Sequence, residues 1–130
     1  MSGGMTPSEQ NNDKRILVVE DDDSVRAMIS TALCDEGFEV LTAQDGYHAL
    51  RIVAAGRPDL IVLDFGLPLL DGPSFALQWR ARVPPEQHVP IIGISGLPNG
   101  AELARHSRVD EFLPKPLDLD VLVGAVARLA

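Results

Sequence analysis

The sequence predicts an α/β fold built on a doubly wound, five-stranded parallel sheet. Short runs of branched apolar residues, which are typical of strands buried on both faces, recur along the chain. Segments with apolar residues at helical spacing separate these runs. Strands that alternate with helices form parallel βαβ units with right-handed crossovers, so the runs are expected to share one sheet with helices on both faces.

The elements are predicted from these runs and from the residues that end them. The five strands are predicted at residues 16–19, 38–43, 60–63, 91–94 and 112–113. Acidic or hydroxyl residues cap the first two helices and the last one, and Pro73 suits the first turn of the third. Gly37 and Gly56 end the first two helices. Only residues 101–108 could form a fourth helix, so a shortened or irregular helix is expected there.

Size and charge limit the classes of function. The chain has 130 residues and a formal net charge of -8, which disfavours nucleic-acid binding because that relies on Lys and Arg. No apolar run reaches the length of a membrane span, so no membrane partner is expected. The single cysteine, Cys34, fits a reducing compartment. Residues 1–13 are predicted to be a disordered leader without signal-peptide features, residues 14–130 to be the one domain, and the location to be cytoplasmic.

Polar residues follow the strands at one edge of the predicted sheet. Glu20 and Asp21 follow the first strand, Asp64 ends the third, Ser95 ends the fourth and Lys115 follows the fifth. Ligands of doubly wound sheets bind at the carboxyl ends of the strands. Three clustered carboxylates repel one another unless a cation joins them, and oxygen ligands of this kind suit Mg²⁺.

This cluster is suited to phosphoryl transfer. A carboxylate can attack phosphorus to give an aspartyl phosphate, and the remaining requirements are positioning and charge neutralisation. Lys115 could serve one phosphate oxygen, the Ser95 hydroxyl could donate to another, and the small Gly96 leaves room. Each residue alone has a plainer interpretation as a turn, a cap or surface charge, and their joint placement favours a site.

Four segments carry a family resemblance: ILVVEDDDSVR at 16–26, DLIVLDFGLPLLDG at 59–72, PIIGISG at 90–96 and FLPKPL at 112–117. With them, the chain resembles the receiver domain of two-component response regulators, over nearly all of its length after the leader. The resemblance implies the flavodoxin-like strand order 2-1-3-4-5. It also implies a single-domain signalling switch and not a separate enzyme. At most, such a receiver would catalyse its own phosphorylation and its own dephosphorylation.

The resemblance also implies roles for individual residues. Asp64 would be the phosphoacceptor, and Glu20, Asp21, Asp64 and the backbone carbonyl of Gly66 would hold Mg²⁺. Ser95 would be the switch hydroxyl, Lys115 would contact the phosphoryl group, and Phe112 would occupy the aromatic switch position without a phenol. The donor would be a histidine kinase or a histidine phosphotransfer protein, and the output an unidentified downstream protein. The bond from Lys115 to Pro116 would be cis.

Other functions fit the sequence less well. A phosphorylation-independent binding module with this fold is the main alternative, but such chains usually lack the acceptor, the acid pair or the lysine. A phosphatase with an aspartyl-phosphate intermediate would need a cap domain or a further acid. A flavin-phosphate site would need a Gly/Ser/Thr-rich loop after the first strand, where residues 20–23 are acidic instead. Whether the chain is stand-alone or part of a longer polypeptide stays open.

Overall fold

The computed structural model describes residues 14–130, so the predicted leader at residues 1–13 lies outside the described part. The strands are β1 Arg15–Val19, β2 Glu39–Ala43, β3 Leu60–Asp64, β4 Ile91–Ser95 and β5 Glu111–Pro114. The helices are α1 Asp23–Asp35, α2 Gly46–Ala55, α3 Gly72–Arg80, α4 Gly100–His106 and α5 Leu119–Leu129, with a 3₁₀ turn at Pro85–Gln87. The 3₁₀ turn and the greater length of β5 were not expected from the sequence.

All five strands are parallel and lie in the order β2-β1-β3-β4-β5, which confirms the predicted fold class. Alternate strand side chains face opposite sides of the sheet. Leu17 and Val19 belong to the core beneath α2, α3 and α4. Ile16 and Val18 belong to the core beneath α1 and α5. The sheet is therefore buried on both faces, as the continuous apolar runs indicated.

Side-chain caps begin four of the five helices. Asp22, Asp45, Asp71 and Asp118 each accept a hydrogen bond from a backbone N–H of the first turn of α1, α2, α3 and α5. Asn99 makes no such bond at the start of α4. Gly37 ends α1 with a φ of 93°, a conformation that glycine adopts at little cost.

The fourth helix has seven residues, so the sequence correctly predicted that it is short. Its end has the hydrogen bonds of a Schellman motif, from Arg108 N–H to the carbonyl of Arg105 and from Val109 N–H to that of Ala104. The motif places Arg108 at a φ of 60°, where glycine is the usual residue. A non-glycine residue in this region is strained.

Two further findings concern the backbone and the length of the helices. The peptide bond from Lys115 to Pro116 is cis, as expected. No helix within residues 14–130 is long and apolar enough to cross a bilayer.

Replacing Arg108 by glycine should stabilise the fold. The backbone would keep its left-handed conformation without a Cβ clash, and we expect the free energy of unfolding to rise by about 1 kcal/mol. Urea denaturation followed by circular dichroism measures this change. Arg105→Gly is the matched control, because it removes the same charge from inside α4 and should lower stability by about 1 kcal/mol. Equal effects of the two variants would contradict the backbone explanation.

Candidate functional site

The candidate site lies where β1, β3 and β4 end. Strand register places Val19 beside Leu63 and Asp64 beside Ile94, so three carboxyl ends meet at one edge of the sheet. Glu20 follows β1 directly, and Asp64 and Ser95 are the last residues of β3 and β4. The sheet topology therefore brings together residues that are far apart in the sequence.

Three carboxylates converge at this edge. Glu20, Asp21 and Asp64 each offer an oxygen, and these oxygens all lie within 4.8 Å of one another. Glu20 and Asp64 are buried, with 2% and 5% of their surface exposed, whereas Asp21 is exposed. Hard oxygen donors at this spacing, open to solvent on one side, fit a Mg²⁺ ion that keeps some of its waters.

Lys115 supplies positive charge to the same cluster. Its Nζ lies 3.4 Å from Asp64 Oδ1 and 3.4 Å from Glu20 Oε1. Burial lowers the pKa of Lys115, but the negative charges of Asp64 and Glu20 outweigh burial and hold that pKa above its ordinary value. The ammonium therefore stays charged and partly offsets the repulsion between the carboxylates.

The carboxyl group of Glu20 has a raised pKa. Burial raises the pKa of Glu20 from 4.5 to about 7, and the charge of Asp64 adds to the rise. A hydrogen bond of 3.1 Å from Asp22 N–H to Glu20 Oε2 and the charge of Lys115 act in the opposite direction. The fold thus places a carboxylate where a bound cation would favour its ionised form.

The neighbouring backbone orients Asp64 and Ser95. Gly66 N–H donates a 3.3 Å hydrogen bond to Asp64 Oδ1, and Leu97 N–H donates a 2.9 Å bond to Ser95 Oγ. The oxygen of Ser95 acts as acceptor here, so its hydroxyl proton remains available for donation. The structure shows the amide of Gly66 in use and does not test the expected role of its carbonyl in metal binding.

An open cavity of about 370 Å³ joins these groups. Its lining residues are Glu20, Asp21, Asp22, Asp64, Gly66, Ser95, Gly96, Leu97 and Lys115. Every residue predicted for the site except Phe112 is among them. Asp22, one of the acidic residues expected only to cap the first helix, both caps α1 and lines the cavity. Its position directly after the predicted metal ligands Glu20 and Asp21 is the sequence feature that could have placed it at the site.

Phe112 is half-buried, packs against the core and does not line the cavity. Its ring stacks on that of Phe65, with centroids 6.1 Å apart and an angle of 28° between the planes. A Cβ added to Gly100 would come within 2.7 Å of Phe112 Cζ and 3.0 Å of Ser95 Cβ. A Cβ added to Gly93 would come within 2.4 Å of Phe65 Cζ. Two glycines thus provide the space for two stacked rings. This packing was not predicted from the sequence.

Comparison with known proteins agrees with this geometry. The family model described as the response regulator receiver domain matches residues 16–127. The transcriptional regulatory protein PrrA of Mycobacterium tuberculosis is 39% identical over 117 residues, which are 88% of this chain and 49% of that protein. The chain belongs to the response regulator receiver family.

Solved receiver structures share its fold. The receiver domain of Francisella response regulator 1452 matches with a TM-score of 0.81 and 31% identity, covering 90% of this chain and 96% of that chain. The chemotaxis response regulator CheY4 of Vibrio cholerae matches with a TM-score of 0.80 and 29% identity, covering 90% and 98%. The chain spans about half the length of its curated PrrA and MprA relatives.

Membership of the receiver family gives the general function. Receiver domains are signalling modules of two-component systems and are generally not enzymes. They accept phosphoryl groups from histidine kinases and bind Mg²⁺ at an acidic pocket, and this receiver has such a pocket at Glu20, Asp21 and Asp64.

Replacing Gly100 by alanine should displace the Phe112 ring. The new methyl group would overlap the ring, so we expect the ring to move outward and the free energy of unfolding to fall by about 1–3 kcal/mol. ¹⁹F NMR of protein labelled with fluorophenylalanine reports the ring environment, and Phe112→Leu assigns its signal. Gly124→Ala is the matched control, because its added Cβ would contact no other part of the described chain within 4 Å. An unmoved Phe112 signal in Gly100→Ala would contradict this account.

The metal-free receiver should lose stability as pH rises from about 4.5 to about 7, because folding must then protonate Glu20, which is ionised in the unfolded chain. Its folded-state pKa exceeds the unfolded value, so the folded state binds more protons across that window. Glu20→Gln lacks this dependence and should be the more stable protein at pH 8, by up to about 3 kcal/mol. The test is urea unfolding in EDTA at several pH values. Glu86→Gln, which changes an exposed carboxylate, is the control, and parallel curves for wild type and Glu20→Gln would refute the prediction.

Proposed function

We propose that this receiver takes a phosphoryl group onto Asp64 in a Mg²⁺-dependent reaction and thereby switches a protein-interaction surface. The observation that carries the proposal is the placement of Asp64. Its buried carboxylate opens onto a cavity, with two further carboxylates within 4.8 Å and the Lys115 ammonium at 3.4 Å. The donor would be the phosphohistidine of a histidine kinase or of a histidine phosphotransfer protein.

Mg²⁺ would be held by Glu20, Asp21, Asp64 and the backbone carbonyl of Gly66. When bound, the ion neutralises charge that develops on the transferring phosphoryl group. The donor set fits this ion because it is made of oxygen atoms and combines buried with exposed carboxylates.

The remaining groups have separate parts in the transfer. An oxygen of Asp64 forms the bond to phosphorus while the bond from phosphorus to the donor histidine breaks, and its electron pair returns to the imidazole nitrogen. The Lys115 ammonium pairs with one phosphoryl oxygen, and the Ser95 hydroxyl donates to another. Since Gly96 lies on the cavity without a side chain, the group has room to enter.

Phosphorylation would change the surface through Ser95 and Phe112. Both side chains lie close to Gly100, the first residue of α4. If Ser95 turns towards the phosphoryl group, its contact with this helix start changes, and so does the space available to the Phe112 ring. The expected output is a change at α4 and β5 that a downstream protein recognises. Phe112 has no hydroxyl, so packing alone determines its position.

Two further parts of the proposal concern reactivity and location. The receiver would react with small donors such as acetyl phosphate and would lose the phosphoryl group by itself, without acting on another substrate. A reducing, cytoplasmic location agrees with Cys34, whose thiol is free and exposed.

Intact mass after incubation with acetyl phosphate and Mg²⁺ tests the chemistry. We expect a gain of one phosphoryl unit that requires Mg²⁺ and is lost in Asp64→Asn, because an amide is a far weaker nucleophile than a carboxylate. Asp71→Asn is the matched control: it makes the same change at a capping residue outside the cavity, and Asn can still cap.

Phosphohistidine donors and beryllofluoride test whether a receiver that does not react with acetyl phosphate can still accept a phosphoryl group. A folded protein that gains no mass from acetyl phosphate or from a phosphorylated phosphotransfer protein, and shows no NMR shifts with beryllofluoride and Mg²⁺, would contradict the proposal. That result would favour the phosphorylation-independent binding module.

A further inference from the structure

A second cavity, of about 240 Å³, lies at the opposite edge of the sheet from Asp64. The segments around it are the end of α3, the 3₁₀ turn that leads into β4, and the turn between α4 and β5. Its lining residues are Arg80, Val83, Pro84, Pro85, His88 and Arg108. The walls therefore combine apolar side chains with cationic or ionisable ones, and no carboxylate from residues 14–130 lines them.

Asp110 is a carboxylate that contacts two of these lining residues, and its hydrogen-bonding capacity is already used. It pairs with Arg80 Nη2 at 2.7 Å and with His88 Nε2 at 2.8 Å, and it accepts from Ile91 N–H at 2.7 Å. Arg80 Nη1 donates to the carbonyl of Val89 at 2.6 Å. Asp110 thus fixes Arg80 and His88 in place and has little capacity left to balance another cation.

The Arg80 guanidinium has one hydrogen-bond donor without an acceptor among the described residues. Its Nε–H is buried and has no hydrogen-bond acceptor within the described part of the chain. Burial lowers the pKa of Arg80 although Asp110 acts to raise it. The ion pair with Asp110 therefore does not fully offset the cost of burying the positive charge. A buried donor without an acceptor costs free energy, and an added anion near the guanidinium would recover part of it.

Arg108 adds a free positive charge at the cavity. Its side chain is exposed, and within residues 14–130 its guanidinium makes no ion pair. The residue is held at a φ of 60°, where glycine would be less strained, so an arginine is present despite a backbone cost. Excess positive charge here contrasts with the net charge of -8 of the whole chain.

We propose that this cavity binds a small organic anion, with one carboxylate or phosphate group on a compact apolar body. The Arg108 guanidinium and, after a small side-chain shift, the Arg80 Nε–H hold the anionic group. Val83, Pro84 and Pro85 pack against the apolar body. A cavity of about 150 Å³ accepts benzene, so 240 Å³ holds a single ring with its anionic substituent. This site is independent of phosphorylation at Asp64.

The test is an NMR titration of ¹⁵N-labelled protein with phenyl phosphate in the presence of EDTA. We expect saturable amide shifts confined to residues 80–89 and 108–110. Arg108→Gly should weaken binding about tenfold through loss of a charge-assisted contact. This variant should fold at least as well as the wild type, because its backbone strain is relieved. Arg82→Gln, which removes an exposed charge outside the lining, is the matched control and should bind as the wild type does.

Further probes separate the parts of the inference. Benzoate should bind with the same shift pattern, and inorganic phosphate should bind at least tenfold more weakly because it lacks the apolar body. Asp64→Asn should bind phenyl phosphate unchanged, so failure of the phosphoryl chemistry leaves this test intact. The inference is overturned by absence of saturable shifts, by equal weakening in Arg82→Gln and Arg108→Gly, or by equal binding of inorganic phosphate.

Discussion

The repulsion among Glu20, Asp21 and Asp64 is the constraint on which the site of this receiver depends. Parallel strands that end at one edge place these carboxylates within 4.8 Å of one another, and two of them are buried. Such an arrangement is stable only with positive charge or a proton nearby. Lys115 supplies the charge, and the raised pKa of Glu20 supplies the proton when no cation is present. The same features that make this cluster of carboxylates costly would make it receptive to a divalent cation and, in the proposed reaction, to a phosphoryl group.

The sequence predicted most of the fold because the decisive signals are local. Buried runs such as 60–63 and acidic caps such as Asp45 specify strands and helix starts without reference to distant residues. The site was predictable for a related reason: once the strands are parallel, residues at their carboxyl ends must be neighbours. The resemblance then assigned roles to Asp64, Ser95 and Lys115 that geometry alone leaves open, and those roles remain proposals.

What the sequence did not reveal depends on long-range packing. Nothing local in Gly93 or Gly100 indicates that their missing side chains accommodate the Phe65 and Phe112 rings, because each close approach joins residues more than ten positions apart. The 3₁₀ turn at Pro85–Gln87 contains no buried residue, so no apolar pattern indicated it. The cationic cavity around Arg80 was not predicted either, since its lining comes from three separate segments and its charge depends on the ion pairs of Asp110.

The short α4 has a consequence for the timing of any switch. Seven residues give two turns, the first turn has no side-chain cap, and the last ends on a strained Arg108. Helical segments of this length hold together chiefly by tertiary contacts, and here those contacts include Phe112 against Gly100. We therefore expect a local free energy of opening for α4 below that of global unfolding, which is the condition for excursions on the microsecond-to-millisecond timescale. In this receiver, α4, which is proposed to report on Asp64, would sample its alternative positions before any phosphoryl group arrives, and modification would change their populations rather than create them.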